Sequence, residues 1–209
     1  MFTILRIDAH ASADRMPTEY AALAASGRTD VVLKQADAET PEQLVAAAQE
    51  ADVLLTDCAM LTGAVLQQLP RCRAIIRYGV GYDTVDVATA SKCGIAVVNV
   101  PDFCNEEVSN HVMMFLLAAA KKLKPLDALV RQGQWAQAKA MQRPMGSIHG
   151  ETLGIIGCGN LGRSVAVKAH AFGMPVIGYS PHTPQPLLNA AGIRAVGYPG
   201  WKQRKELNN

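Results

Sequence analysis

"GETLGIIGCGNLGRSVAVKAHAFGMPVIGYSP", residues 150–181, carries the punctuation of a nucleotide-binding turn. Residues 153–156 form a short apolar run, the length of a buried parallel strand. Gly157-Cys158-Gly159-Asn160-Leu161-Gly162 comes next and fits G-x-G-x-x-G. Each glycine answers a separate demand. Gly157 makes the tight turn out of the strand, Gly159 lets a pyrophosphate approach the backbone, and Gly162 lets the next helix pack closely on the sheet. The amides of Asn160 and Leu161 stand at the start of that helix, where unpaired N–H groups and the helix dipole favour phosphate. Val165, Ala169 and Phe172 are spaced as one face of the helix, Gly173 is placed to end it, and residues 175–179 read as the next strand. A lone glycine triplet is a weak signal. Between a strand and a helix, with a second strand after, it is far more specific.

One part of the pattern is missing. A carboxylate is expected ~20 residues after the glycines, on the ribose hydroxyls. Here the second strand ends in Tyr179-Ser180-Pro181, with His182 next. Ser180 can hydrogen-bond ribose but does not repel a 2′-phosphate. NAD is the expected cofactor, and NADP stays open.

Working outward, 209 residues of which 49% are hydrophobic suffice for one large or two small domains. A net charge of +2 with scattered basic residues gives nucleic-acid binding no electrostatic support. The basic stretch 202–205 reads as a solvated tail. Five cysteines without a C-x-x-C point to reduced thiols in a cytoplasm. Histidines 10, 111, 149, 170 and 182 do not cluster, so no metal site is expected. No apolar run approaches the ~20 residues of a membrane span.

Upstream, strand-like runs over 2–7, 31–33, 53–56, 74–76 and 95–98 alternate with helical segments over 17–26, 41–49, 62–68 and 85–92. Pro17 and Pro41 stand at helix starts, and Thr40 and Thr62 at N-cap positions. The alternation predicts a parallel sheet in an α/β domain. Val108, Val112, Phe115, Ala119, Leu123, Leu126 and Val130 then recur at helical spacing over 106–131, with a late kink expected at Pro125. Residues 136–149 read as an irregular connecting arm.

Two further motifs, Arg77-Tyr78-Gly79-Val80-Gly81-Tyr82-Asp83-Thr84-Val85-Asp86 and Val98-Asn99-Val100-Pro101 with Glu107-Val108-Ser109-Asn110-His111, stand in order before the glycine loop. Together the three stretches resemble the D-isomer-specific 2-hydroxyacid dehydrogenases, a family of phosphoglycerate, glyoxylate and formate dehydrogenases or reductases and of C-terminal-binding-protein corepressors. The resemblance runs over residues 1 to about 197. It implies an α/β protein: a flavodoxin-like parallel-sheet substrate domain, its N-terminal part over 1–99, followed over 100–209 by a Rossmann coenzyme domain of which only the first half is present. It also implies hydride transfer between a nicotinamide cofactor and a small 2-hydroxy or 2-oxo acid, in a homodimer that binds neither membrane nor nucleic acid.

The resemblance assigns roles. The amides of Gly79, Val80 and Gly81 take the substrate carboxylate; read without it, the same residues form a tight turn before a helix capped by Asp83. Val108 touches the nicotinamide end of the cofactor; by spacing alone it is one more core valine. Gly157, Gly159, Asn160, Leu161, Gly162 and Ser180 hold the rest of the cofactor. His111 matches a family position, though its helical spacing suits a structural histidine, and Asn110 replaces the commoner Glu.

Hydride transfer from a hydroxy acid also needs a base and a cation. The family supplies a His oriented by a Glu, and an Arg. No residue here matches those motifs, and the catalytic set is expected beyond the chain's end. Two βαβαβ halves, at ~30 residues per βαβ, need more chain than remains after Gly162. From "YPGWKQRKELNN" on, the family likeness stops, as after a frameshift or early stop. The expectation is a truncated, catalytically incomplete dehydrogenase. The alternative is a non-catalytic nucleotide-sensing or corepressor-like binding module.

Overall fold

A computed structural model describes residues 1–8 and 16–197. His10 and the tail after residue 197 lie outside the described residues. The chain falls into two compact units, Met1–Phe103 and Cys104 onward.

In the first unit β1 (Phe2–Ile7), α1 (Pro17–Ala25), β2 (Val31–Ala36), α2 (Pro41–Ala48), β3 (Val53–Thr56), α3 (Gly63–Leu66), β4 (Ala74–Arg77), α4 (Val87–Lys92) and β5 (Ala96–Val98) alternate as expected. All strands are parallel, in the order β2-β1-β3-β4-β5. That is the flavodoxin-like order, with its switch point between β1 and β3. Leu5, Ile7, Leu54 and Ile75 from the strands meet Leu44, Val65 and Leu66 from the helices in one buried cluster. β2 runs three residues past its apolar stretch because it pairs with β1 along its whole length, Phe2↔Val31 to Ile7↔Ala36. The ladder, not hydrophobicity, sets its end.

The caps sort the expected signals. At α2, Thr40 Oγ1 accepts from Gln43 N–H (3.3 Å) while Gln43 Oε1 accepts from Thr40 N–H (3.3 Å), a reciprocal capping box. Thr62 makes no such bond at α3. Asp83 is not the cap of α4. Asp86 is, accepting from Thr89 N–H at 3.0 Å and from Thr89 Oγ1 at 2.7 Å, bonds that hold its carboxyl below the usual range. Thr40→Ala is therefore expected to cost ~1 kcal/mol, and Thr62→Ala a small fraction of that. Equal shifts in urea midpoint for the two variants would contradict this.

The second unit comprises α5 (Asn105–Ala120), α6 (Leu123–Arg131), α7 (Trp135–Met141), β6 (Leu153–Ile156), α8 (Asn160–Ala171), β7 (Val176–Tyr179), α9 (Gln185–Ala190) and β8 (Ile193–Ala195). Its parallel sheet has the order β6-β7-β8, the first half of a Rossmann sheet. The third strand lies inside residues 187–197. Among the described residues β6 pairs only with β7, and Ile156 is 67% exposed.

Several expectations are corrected by the structure. The long helix does not kink at Pro125. It ends at Ala120, and the chain turns at Lys122 in a left-handed conformation (φ 50°) before α6 begins. Proline's ring would collide with the carbonyl four residues back, that of Lys121, so the break precedes it and Pro125 falls in the first turn of α6, where its missing N–H costs nothing. The irregular arm begins with a helix, α7, made of the good helix formers in WAQAKAM. The apolar stripe of α5 is not its buried side. Ser109 and Met113 are buried, while Val108, Val112 and Phe115 are exposed, so the core-valine reading of Val108 fails. His111 is exposed too, edge-on to Phe115 with ring centroids 4.7 Å apart, and has no core role. In α8 the buried face is Val165, Ala166 and Ala169; Phe172 caps the helix and is half-exposed.

Candidate functional site

In the second unit the three glycines of the loop between β6 and α8 meet three different constraints. Gly157 has φ +88°, a conformation that side chains rarely adopt. Around Gly159 nothing lies within 4 Å of where a Cβ would stand, so the backbone is open to a ligand. A Cβ on Gly162 would collide with the carbonyl oxygen of Gly157 and crowd Ile155. Gly157 N–H is tied to Tyr179 O at 2.9 Å, which locks the loop onto the end of β7. The amides of Leu161 and Gly162 donate to no acceptor among the described residues, and no side chain caps α8. They open a 12-residue helix, so its dipole and free donors favour an anion there.

Ser180 follows β7 and is drawn into the same place. Its Oγ lies 2.8 Å from Thr183 Oγ1, which donates to Cys158 O at 3.2 Å. Cys158 is fully buried, and burial pushes its thiol up. A Cβ on Gly178 would strike its Sγ, so this cysteine is a packing residue between the strands. Arg163 donates to Cys158 O (3.1 Å) and Asn160 Oδ1 (2.7 Å), which fixes a cation in the first turn of α8. Neither Thr183 nor Arg163 was singled out by sequence. The only signal for either is closeness to a motif already found.

Val108 lies one residue before Ser109, whose Oγ is 3.0 Å from Ser164 Oγ on α8. Lys168 Nζ joins them, donating to Ser109 Oγ (2.8 Å), Ser164 Oγ (3.1 Å) and Glu106 Oε2 (2.9 Å). Lys168 holds the Glu106 carboxyl below its usual range. This polar knot fastens α5 to α8 itself rather than to the glycine loop.

In the first unit the 79–81 turn leaves the end of β4. Gly79 N–H donates back to Arg77 O at 2.9 Å, so that amide is used internally. The amides of Val80 and Gly81 donate to no acceptor among the described residues. Beneath the turn lies a charged network that the sequence did not disclose. Asp8, 4% exposed, accepts from Asp57 N–H (2.7 Å), Cys58 N–H (2.9 Å) and Thr56 Oγ1 (3.1 Å). Arg6 Nε stands 3.6 Å from Asp8, and Arg6 Nη1 bonds Glu19 at 3.1 Å. The Tyr78 hydroxyl also donates to Glu19 (3.0 Å), and burial together with that carboxylate pushes the phenol far up. Among the described residues no group of His, Cys, Asp or Glu is placed to hold a metal ion, and no helix is long and apolar enough to cross a membrane.

A family model for the D-isomer specific 2-hydroxyacid dehydrogenase, catalytic domain, matches residues 11–192. The chain belongs to this family. The D-3-phosphoglycerate dehydrogenase of Methanocaldococcus jannaschii is 36% identical over 158 residues, 75% of this chain and 30% of that protein. The glyoxylate reductase of Thermococcus gammatolerans is 35% identical over 144 residues, 66% of this chain and 43% of that protein. The 209 residues thus match less than half the length of these two relatives. Among solved structures, the D-lactate dehydrogenase of Aquifex aeolicus, complexed with NAD and lactic acid, shares the fold at TM-score 0.76 and 24% identity, covering 93% of this chain and 56% of that one. The acyclic imino acid reductase Bsp5, complexed with NADPH and D-Arg, does so at TM-score 0.77 and 23% identity, covering 94% and 60%.

Proposed function

We propose that these residues form the phosphate-binding half of a nicotinamide-dinucleotide site and the carboxylate loop of a D-2-hydroxyacid dehydrogenase. The observation that carries the reading is the glycine loop, where one glycine is required by φ, one by an open approach and one by helix–strand contact. The open backbone at Gly159 fits a pyrophosphate. Asn160, Leu161 and Gly162 supply main-chain amides to it, and Arg163 adds a positive charge beside them. Ser180 reads the adenosine ribose through its hydroxyl. Val108 faces the nicotinamide end. When bound, the cofactor supplies the hydride acceptor or donor for a 2-hydroxy or 2-oxo acid, whose carboxylate takes the amides of Val80 and Gly81, with Gly79 completing the turn. The family's proton-handling His–Glu pair and its Arg match no residue of this chain. In this reading the 209 residues bind without turning over alone. Cysteines that form no disulfide suit a cytoplasmic setting, and the exposed apolar side of α5 suits a homodimer.

Titration calorimetry with NAD and NADP tests the reading. Both are expected to bind more weakly than about 1 μM, or about −8 kcal/mol, since only one half-sheet contributes contacts. Ser180→Asp is expected to shift preference towards NAD, because a carboxylate pairs with ribose hydroxyls and repels a 2′-phosphate. Heat signals that are absent for both nucleotides, or unchanged by Gly159→Ala, would sink it.

A further inference from the structure

The second motif, Val98-Asn99-Val100, has no role in that reading, and neither does Arg77. Both meet at the 79–81 turn. Gly79 does not have the positive φ that demands glycine. The space that a side chain there would take is filled by Arg77. A Cβ on Gly79 would collide with Arg77 Nη1 and lie 2.7 Å from its Cζ, so the guanidinium lies across the glycine. The same residue's carbonyl accepts Gly79 N–H, and its Nη1 stands 3.6 Å from Asp57 Oδ1. Arg77 thus grips the turn with its main chain and its side chain.

The opposite side of the turn is held from the end of β5. Val100 N–H donates to Gly79 O at 3.0 Å, and Asn99 Nδ2 donates to Val80 O at 2.8 Å. A trans peptide is planar, so its carbonyl and its N–H point in opposite directions. The Gly79 carbonyl shares a plane with the Val80 amide, and the Val80 carbonyl shares one with the Gly81 amide. Tying both carbonyls to β5 therefore turns both amides away from it, without an acceptor among the described residues. Such adjacent amides form an anion-binding nest. Asp83 opposes this, since its Oδ1 would lie 2.9 Å from a Cβ on Gly81.

We propose that Arg77 and Asn99 are positioning residues that hold the 79–81 turn so that the Val80 and Gly81 amides face a carboxylate. The proposal rests on the carboxylate-loop reading above. Oxalate is the probe, titrated into the 15N-labelled chain while the Val80 and Gly81 amide resonances are followed. Both should shift in the wild type. Asn99→Ala should weaken oxalate by about tenfold, a change of about 1.4 kcal/mol, and the Gly81 shift should shrink more than that of Val80. Asn99 is partly exposed, so the variant should stay folded, with a thermal midpoint lowered by no more than the loss of one hydrogen bond allows. Gly79→Ala should weaken binding similarly by displacing the guanidinium. Added to Arg77→Ala, it should cost nothing further, since the clash is gone. Wild-type shifts that persist unchanged in Asn99→Ala, or an additive Arg77/Gly79 pair, would overturn the positioning role alone. No oxalate shift at either amide in the wild type would overturn the carboxylate reading and the positioning role with it.

Discussion

Gly162→Val is expected to abolish dinucleotide binding and to destabilise the second unit by about 3 kcal/mol, the upper range for overpacking a tight site. The added Cβ meets the carbonyl of Gly157, which is backbone and cannot rotate aside. That carbonyl belongs to a residue at φ +88° whose N–H is bonded to Tyr179, so the loop has no slack to absorb the displacement. α8 must then tilt away from β6, exposing Val165, Ala166 and Ala169. The informative contrast is Gly159→Ala. Open space surrounds that position, so stability should change by no more than about 0.5 kcal/mol, while affinity for NAD falls because the methyl occupies the ligand's approach. Urea unfolding and calorimetry on both variants separate the two roles. Equal loss of stability in the two, or intact binding in Gly162→Val, would refute the assignment of open approach to one glycine and helix packing to the other.

Asp8→Ala is expected to destabilise the first unit by about 3–5 kcal/mol, the cost of removing one partner from a buried charged network. It strips the acceptor from two amides and the Thr56 hydroxyl, and leaves Arg6 facing Glu19 without its second carboxylate. Thr56 is fully buried, so water cannot replace the lost partner there without opening the end of β3. Asp8→Asn keeps a carbonyl acceptor for those donors and should cost clearly less. Chemical denaturation of the pair checks this. A loss below about 1 kcal/mol for the alanine variant would show that the network is dispensable. Because Tyr78 N–H bonds Thr56 O at 2.8 Å, the alanine variant should also loosen the turn that begins at Gly79, seen as faster amide exchange at Val80 and Gly81.

The strands and most helices of both units were legible because their signals are local. Apolar runs of strand length, Pro41 after Thr40, and the glycine spacing each act within a few residues. The misreadings share one physical origin. The Val108–Val112–Phe115 stripe has the periodicity of a buried face, but periodicity does not say which side meets a neighbour. The face of α5 turned to α8 carries Ser109 and Met113, and the polar bonds that fasten it join Ser109 and Glu106 of α5 to Ser164 and Lys168, residues distant in sequence. Thr62 and Asp83 were eligible caps by residue type, and backbone direction at each helix start assigned the α4 cap to Asp86 instead.

By itself the sequence determined that the chain alternates strand and helix in α/β units, that a glycine loop over residues 157–162 joins a strand to a helix, and that the chain resembles the 2-hydroxyacid dehydrogenases. Those conclusions need only spacing and residue type, because turn geometry, caps and parallel-sheet crossovers are imposed by near neighbours. Only the tertiary structure decided which amides of the 79–81 turn find no acceptor among the described residues, that the Arg77 guanidinium lies across Gly79, and that Thr183 and Arg163 complete the loop around Cys158. Each depends on where a carbonyl or guanidinium points after folding has brought the ends of different strands together. Hydrogen bonds are directional and reach about 3 Å, so no pattern along the chain can report them before the backbone has taken its path.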